Sequence, residues 1–377
     1  MSSILSDTHR PADLTAMARI IRSLHLDGLL LAGIAAALSI GLLALYSAVG
    51  QNGTLVMNQL VRIGAALTGM LVIAQIPPAW LRRAAPWVYA LGFVLLILVL
   101  LTGDIGKGAR RWLDVGVRFQ PSEIMKIGVP LMLAWLLHDR PLPPSLGLVA
   151  TSLALALIPV ALIALQPDLG TAIMITLSGA AVLFLAGIGA RYIFGAITLA
   201  LVSLPALWYL VMHDYQKRRV LTLLNPDSDP LGAGYHIIQS KIAIGSGGLF
   251  GKGWLNGSQG QLEFLPERST DFIFAVIGEE FGLMGAVSLL LIYMYIIGRG
   301  LVIASTAQDT FTRLLAGSIS LTFFFYVFVN TAMVTGMIPV VGVPLPLVSA
   351  GGTSMVTLMA GFGILMSIQT HRKLLAR

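Results

Sequence analysis

Apolar residues in this chain come in long runs separated by short polar breaks, without the strict alternation of half-buried strands. The runs are Gly28 to Val49, Leu55 to Ile76, Ala85 to Leu101, Ile124 to Leu137, Gly147 to Leu165, Leu169 to Ile188, Ile193 to Met212, Phe272 to Ile297, Leu314 to Thr335 and Met355 to Ile368. Most approach the roughly 20 residues needed to cross a bilayer. In lipid each backbone N–H and C=O must be satisfied within its own segment, so such runs are helices, whereas barrel strands would alternate in hydrophobicity. The pattern predicts an all-α, polytopic integral membrane protein of about ten transmembrane helices. Both termini are then cytoplasmic, and one long extracytoplasmic loop, residues 213–270, separates the seventh helix from the eighth.

Residues 1–27 read as a polar cytoplasmic segment carrying Arg10, Arg19 and Arg22. Asp27 suits the N-cap of the first run, which is too long for a signal-peptide core. The remainder, 28–377, reads as a single transmembrane domain. Composition agrees: 56% of residues are hydrophobic and 11% charged. The net charge of +7 has its first explanation in topology. The three N-terminal arginines, with Arg82, Arg83, Arg140, Arg191, Arg299, Arg313, Arg372, Lys373 and Arg377, place twelve of the 24 basic residues on the inner side. Anionic membrane lipid is the partner this implies, and nucleic acid is a poor fit. With no cysteine there is no disulfide framework or Cys-ligated metal, and the six histidines show no metal-binding spacing.

Polar residues that interrupt the apolar pattern are the candidates for chemistry. The outward connection Thr102 to Ser122 carries Lys107, Arg110, Arg111 and Arg118 among Trp112, Leu113, Val115, Val117 and Phe119, which predicts an amphipathic piece lying on the outer leaflet. It serves either as a solvated loop with interfacial anchors or as guanidinium forks that grip phosphate. Glu123 and Lys126 follow, one helical turn apart inside an apolar span, where charge is costly. They form a functional pair or a structural ion pair between helices. Asp168, in Gln166-Pro167-Asp168-Leu169, echoes the corner Gln120-Pro121-Ser122-Glu123.

The long loop opens with Lys217, Arg218 and Arg219, and Tyr235 to Ile244 predicts an amphipathic helix followed by a turn at Gly245-Ser246-Gly247-Gly248. The glycines invite a nucleotide-loop reading and fail it, because Ser246 and Gly253 stand where a Walker loop needs Gly and Ser or Thr. The loop ends on Glu263, Pro266, Glu267, Arg268, Ser269 and Thr270. Asp271 then stands at the threshold of the apolar run Phe272 to Ile277, between water and lipid. After Thr335 comes an uncharged stretch with Pro339, Gly342, Pro344 and Pro346, closing on Ser349-Ala350-Gly351-Gly352-Thr353-Ser354. It predicts a re-entrant hairpin whose small hydroxylated end, with Ser349 and Thr353, seats an anion at the next helix start, or else packs closely on neighbouring helices.

Three of these stretches together resemble the SEDS family: Gly108-Ala109-Arg110-Arg111-Trp112; Pro266-Glu267-x-x-Thr270-Asp271-Phe272-Ile273-Phe274-Ala275; and Asn330-x5-Gly336 through Pro339, Gly342, Pro344, Pro346, Ser349, Gly351 and Gly352. Gln261 to Arg268, QLEFLPER, is similar to the elongation-type form of the loop. The resemblance runs from Gly28 onward. It implies a peptidoglycan polymerase that uses lipid II at the outer face of the bacterial cytoplasmic membrane, within the elongation machinery, partnered by a class B penicillin-binding transpeptidase. Asp271 matches the family's essential aspartate, and Arg111, Glu123, Lys126 and Asp168 match its characteristic charged positions. Ser269 stands where many elongation-type members have His, and Ala350 where Tyr is common.

Such a polymerase joins a sugar hydroxyl to an anomeric carbon and releases undecaprenyl pyrophosphate, a step helped by a base that takes the hydroxyl proton. Asp271 is the candidate catalytic residue. Arg110, Arg111, Lys217, Arg218, Arg219 and Arg268 are the candidate cations for the leaving pyrophosphate, with a divalent Mg or Mn ion as a candidate cofactor. Gln120, Asp168 and Glu267 are candidate supporting residues. Direct displacement predicts inversion without a covalent sugar intermediate. The competing role for Asp271 is an N-cap. The competing functions are a lipid II flippase, which would place polar residues along a whole transbilayer path, and a non-catalytic membrane scaffold.

Overall fold

The computed structural model describes residues 24–106, 109–114, 118–212, 214–229, 232–262 and 264–372. Its helices follow the apolar runs. Helix α1 (Gly28–Ala48) starts where the Asp27 carboxylate accepts the amide of Leu30 at 2.7 Å, which satisfies one of the amides left over at a helix start. Asn52 does the same for α2 (Gly53–Ala74), and α3 (Pro78–Thr102) opens on proline, whose missing N–H costs nothing at that position. Strands β1 (Asp104–Gly106), β2 (Ala109–Asp114) and β3 (Arg118–Phe119) then lead to α4 (Ser122–Leu137), α5 (Leu146–Ala164), α6 (Leu169–Leu185) and α7 (Ala190–Ala206). The long loop contains α8 (Asp214–Leu224), α9 (Ala233–Gly247) and the single turn α10 (Ser258–Gln261). It is followed by α11 (Ile273–Ser305), α12 (Thr310–Val334) and α13 (Thr353–Thr370). Among the described residues seven helices, α1, α2, α3, α5, α11, α12 and α13, are long and apolar enough to cross a membrane. The 16- and 17-residue helices α4, α6 and α7 occupy the other three apolar runs. The protein is a multi-pass membrane protein.

Three expectations are corrected. The segment 102–122 forms a small antiparallel sheet rather than an amphipathic surface piece: Ile105 pairs with Arg110 and Leu113 with Phe119, with Leu113 buried. The all-α prediction therefore holds except here, where alternating side chains suit a pleat with one covered face. The glycines Gly245 to Gly247 continue α9 instead of forming a turn, and the chain leaves the helix at Gly248 with φ +57. Helix α11 runs to Ser305, well past the expected end at Ile297.

Helix α12 is the axis of the bundle, with two-thirds of its apolar window buried; α4, α6, α11 and α13 pack around it. Tyr293, Phe323 and Phe362 bring three of these helices together through edge-on ring contacts at 5.7 and 5.2 Å. By contrast α2 and α3 turn Val61, Val72, Trp80, Trp87, Val94 and Leu101 outward, as lipid-facing helices do. At one end of the bundle Arg299 pairs with Asp27 at 2.5 Å, Gln75 donates to the Leu24 carbonyl, and the rings of His25 and His371 stack at 4.1 Å. Residues 24–27, the end of α2, α11 and the end of α13 thus meet there.

Helix α11 is broken at Gly282, which has φ 65 and ψ −161, a region open essentially only to glycine. The loop after α9 supplies the missing hydrogen bonds: the amides of Lys252 and Gly253 donate to the carbonyls of Glu279 and Glu280, and those of Leu283 and Met284 donate to Gly248 and Leu249. A Cβ at Gly282 would sit 2.4 Å from the Gly251 nitrogen. Gly282→Ala is therefore expected to cost roughly 2 kcal/mol or more through the dihedral and the overlap together, read as a lower melting temperature in detergent.

Candidate active site

Asp271 is half-exposed at the end of a turn that Glu267 organises. The Glu267 carbonyl accepts the amides of Thr270 and Phe272, and its carboxylate accepts the Thr270 hydroxyl at 2.9 Å. Helix α11 begins only at Ile273, with Phe272 in the cap position and no side-chain cap bond. Asp271 is thus one residue outside the cap, and the N-cap reading is corrected. Phe272 is buried and stacks on His236 of α9 at 5.5 Å; burial pushes the His236 imidazole below its usual pKa, so it stays neutral at neutral pH.

The proline-rich hairpin between α12 and α13 is stitched to this turn carbonyl by carbonyl. The Ala350 amide donates to Ser269 at 2.7 Å, the Ser349 hydroxyl to Thr270 at 2.5 Å, and the Asn330 side-chain amide to Asp271 at 2.8 Å. The same Asn330 amide also reaches the Val343 carbonyl at 2.7 Å. Gly342 faces the acid: a Cβ there would lie 3.6 Å from Asp271 Oδ2. On the other side of the hairpin the start of α6 closes in, since a Cβ at Gly170 would lie 2.6 Å from the Val341 carbonyl. Asn330→Ala is expected to cost about 2 kcal/mol, because it strands the buried carbonyl of Val343 and the part-buried one of Asp271, and to loosen the turn that holds Asp271. A thermal melt combined with polymerisation rates checks both effects. Ser269 and Ala350, the two departures noted in the sequence, meet across one hydrogen bond.

Asp168 caps α6, accepting the Thr171 amide at 3.3 Å, and also accepts Gln120 Nε2 at 2.7 Å. Arg111 lies 3.9 Å from its carboxylate and donates to the carbonyls of Gln166 and Pro167. Arg111, Gln120 and Asp168 thus form one cluster joining β2, α4 and α6. Beneath it Glu123 and Lys126 pair at 2.7 Å, both nearly buried, with the ammonium 5.4 Å from the centre of the Tyr326 ring. Lys126 and Tyr326 border a cavity of about 30 Å³ between α4, α12 and α13, room for about two waters. Glu123 Oε2 is buried without a hydrogen-bond partner among the described residues.

The other candidates fall elsewhere. Arg268 turns inward to the carbonyls of Ala48 and Gly260. Ser349 is buried and also accepts the Leu345 amide at 2.8 Å, while Thr353 opens α13. Lys217, Arg218 and Arg219 lie on α8, which packs on α9. Arg110 is in β2, with its side chain outside the described residues, as are the side chains of Lys107, Arg118 and Glu263. Among the described residues no group of three His, Asp or Glu side chains is placed to hold a metal.

Three residues were not singled out from the sequence. Glu279 is fully buried and takes Lys252 Nζ at 2.7 Å, the Ser258 hydroxyl and the amides of Gln259 and Gly260. Glu280 accepts the Ser47 hydroxyl. Together they fasten the loop to the buried top of α11, and adjacent acids inside an apolar run were the available signal. Arg62, a lone arginine within α2, sits with Cδ and Nε 3.8 Å from where a side chain at Gly352 would begin.

Comparison with known proteins agrees with this architecture. The model of the cell cycle protein family FTSW_RODA_SPOVE matches residues 23–374. Peptidoglycan glycosyltransferase MrdB of Escherichia coli K12 is 55% identical over 354 residues, covering 94% of this chain and 96% of the relative. Probable peptidoglycan glycosyltransferase FtsW of Trichlorobacter lovleyi is 36% identical over 364 residues, covering 92% and 94%. Among solved structures, a chain from a peptidoglycan synthase complex that coordinates polymerization and crosslinking superposes with a TM-score of 0.80 at 35% identity, covering 91% of this chain and 97% of that one. Thermus thermophilus rod shape determining protein RodA gives 0.69 at 30% identity, covering 92% and 98%. With its family match spanning nearly the whole sequence and its fold shared with RodA, this chain belongs to the FtsW, RodA and SpoVE family, the SEDS proteins.

Proposed function

We propose that this protein is a peptidoglycan glycosyltransferase that polymerises lipid II into glycan strands at the outer face of the bacterial inner membrane during elongation. The observation that carries the reading is Asp271: an acid outside the helix cap, held through its backbone by Asn330, facing Gly342, where a Cβ would come within 3.6 Å of its carboxylate. Asp271 takes the proton of the attacking hydroxyl as the new glycosidic bond forms, and the bond from the anomeric carbon to the pyrophosphate breaks on the opposite face. A lone carboxylate suits this step, because pyrophosphate departs without needing a general acid and requires only cations. Arg111 is fixed close by the start of α6 by two carbonyls and Asp168. A Mg or Mn ion is expected to arrive with the pyrophosphate, held by few protein ligands. Both termini lie in the cytoplasm, and the partner is a class B penicillin-binding transpeptidase, in line with the synthase complex that this fold resembles.

The test is direct. Purified protein, with and without the transpeptidase and a divalent ion, is given lipid II, and strands are resolved on a gel. Strand formation is expected. Transfer of lipid II across vesicle membranes with no strands under any condition would favour the flippase reading instead.

A further inference from the structure

The end of the bundle away from Asp271 carries a cavity of about 520 Å³ that the polymerase chemistry does not use. Its walls come from three places far apart in sequence: Pro77 to Arg82 at the start of α3, Gln308 to Thr312 at the start of α12, and Ile368 with His371 and Arg372 at the end of α13. Phe311 and Ile368, both buried, give it an apolar floor. Its rim is basic. Arg372 is held in place by donating to the Thr306 hydroxyl and the Gln369 side chain, and Arg82 has no ion-pair partner among the described residues. The one acid in the wall, Asp309, is occupied by the amide and hydroxyl of Thr312 in a capping box. His371 stacks on His25 and is kept neutral by burial, which leaves the two guanidinium groups as the permanent charges.

We propose that this cavity binds the phosphoryl headgroup of an anionic membrane phospholipid. A guanidinium fork matches phosphate oxygens with paired donors, and two of them at the mouth of a pocket with an apolar floor accept a phosphodiester at the point where its acyl chains leave. Elsewhere on α3, on the side turned away from the cavity, Trp80 and Trp87 are 62% and 78% exposed, and Trp80 carries Arg83 over its ring at 5.8 Å, an arrangement suited to the headgroup layer at this end of the bundle. Basic pockets between helices on the cytoplasmic side recognise lipid headgroups in this way. The assignment rests on the placement of this end at the cytoplasmic leaflet, not on the chemistry of Asp271.

Purified full-length protein in a neutral detergent is titrated with phosphatidylglycerol, phosphatidylcholine or glycerol phosphate, and the melting temperature is followed. Phosphatidylglycerol is expected to raise it and phosphatidylcholine not. The double variant R82Q/R372Q, or each single variant where the double does not fold, is expected to weaken the phosphatidylglycerol response about fivefold for each arginine removed. R191Q, which removes a charge from the same end outside the cavity, is expected to keep it. Equal responses to the two lipids would overturn the site, as would a full response in the arginine variants. An equal response to glycerol phosphate at the same concentration would make the ligand a soluble phosphate ester and overturn the lipid assignment. Polymerisation of lipid II is measured alongside, so that loss of lipid binding with intact strand formation separates this site from the one around Asp271.

Discussion

Asp271→Asn is expected to lower strand formation about 10²- to 10⁴-fold while leaving the melting temperature close to that of the wild type. Asn has nearly the shape of Asp but cannot accept a proton at neutral pH. Backbone interactions help to place residue 271: Asn330 holds its carbonyl, and the neighbouring carbonyls of Ser269 and Thr270 are held by Ala350 and Ser349. None of these depends on the carboxylate. Because Phe272 occupies the cap position of α11, the substitution also leaves the helix start alone. Lipid II polymerisation on a gel, with a thermal melt of both proteins, decides the matter. A fully active Asp271→Asn protein would remove Asp271 as the base.

The second large effect is structural at first sight. Lys126→Met is expected to destabilise the protein by about 3–5 kcal/mol, because it leaves the Glu123 carboxylate buried without its cation. Its Oε2 already lacks a partner among the described residues, so the carboxylate cannot turn to another donor in place. Replacing both, as Glu123→Leu with Lys126→Met, is expected to recover most of that loss, since a packed apolar pair often equals a buried ion pair. The double variant then reads the role of the pair. Recovered stability with recovered polymerisation makes it a link between helices, whereas recovered stability with lost polymerisation makes it part of the route from substrate to Asp271.

The sequence showed the helices, and much of the rest only in outline. Apolar runs bounded by Asp27 and Asn52 are legible because bilayer length and helix capping are local properties. Asp271 and the Glu123–Lys126 pair stood out because charge in an apolar run has few bland explanations. The small sheet was missed because strands of two to six residues are too short to set a period. The inward turn of Arg268 was also invisible. One of its acceptors, the Ala48 carbonyl, is 220 residues away, and nothing near position 268 announces it. The same holds for the stitching of the hairpin to residues 269–271, which joins residues 59 to 81 positions apart. A guanidinium that reads as a phosphate fork in sequence is, in space, a brace between carbonyls.

The break at Gly282 divides α11 into two parts that answer to different surroundings. Residues 273–280 are wholly buried and fastened by Glu279, Glu280 and the loop amides, whereas the part below presents Leu283, Met284, Leu291 and Met294 to lipid. A bilayer that thins or thickens acts on a helix by tilting it, and here it grips only the lower part. The joint at Gly282 takes up the change of angle. The height of Asp271 above its neighbours is therefore set by the loop and the hairpin, and the reaction geometry is shielded from the thickness of the membrane in which the protein works.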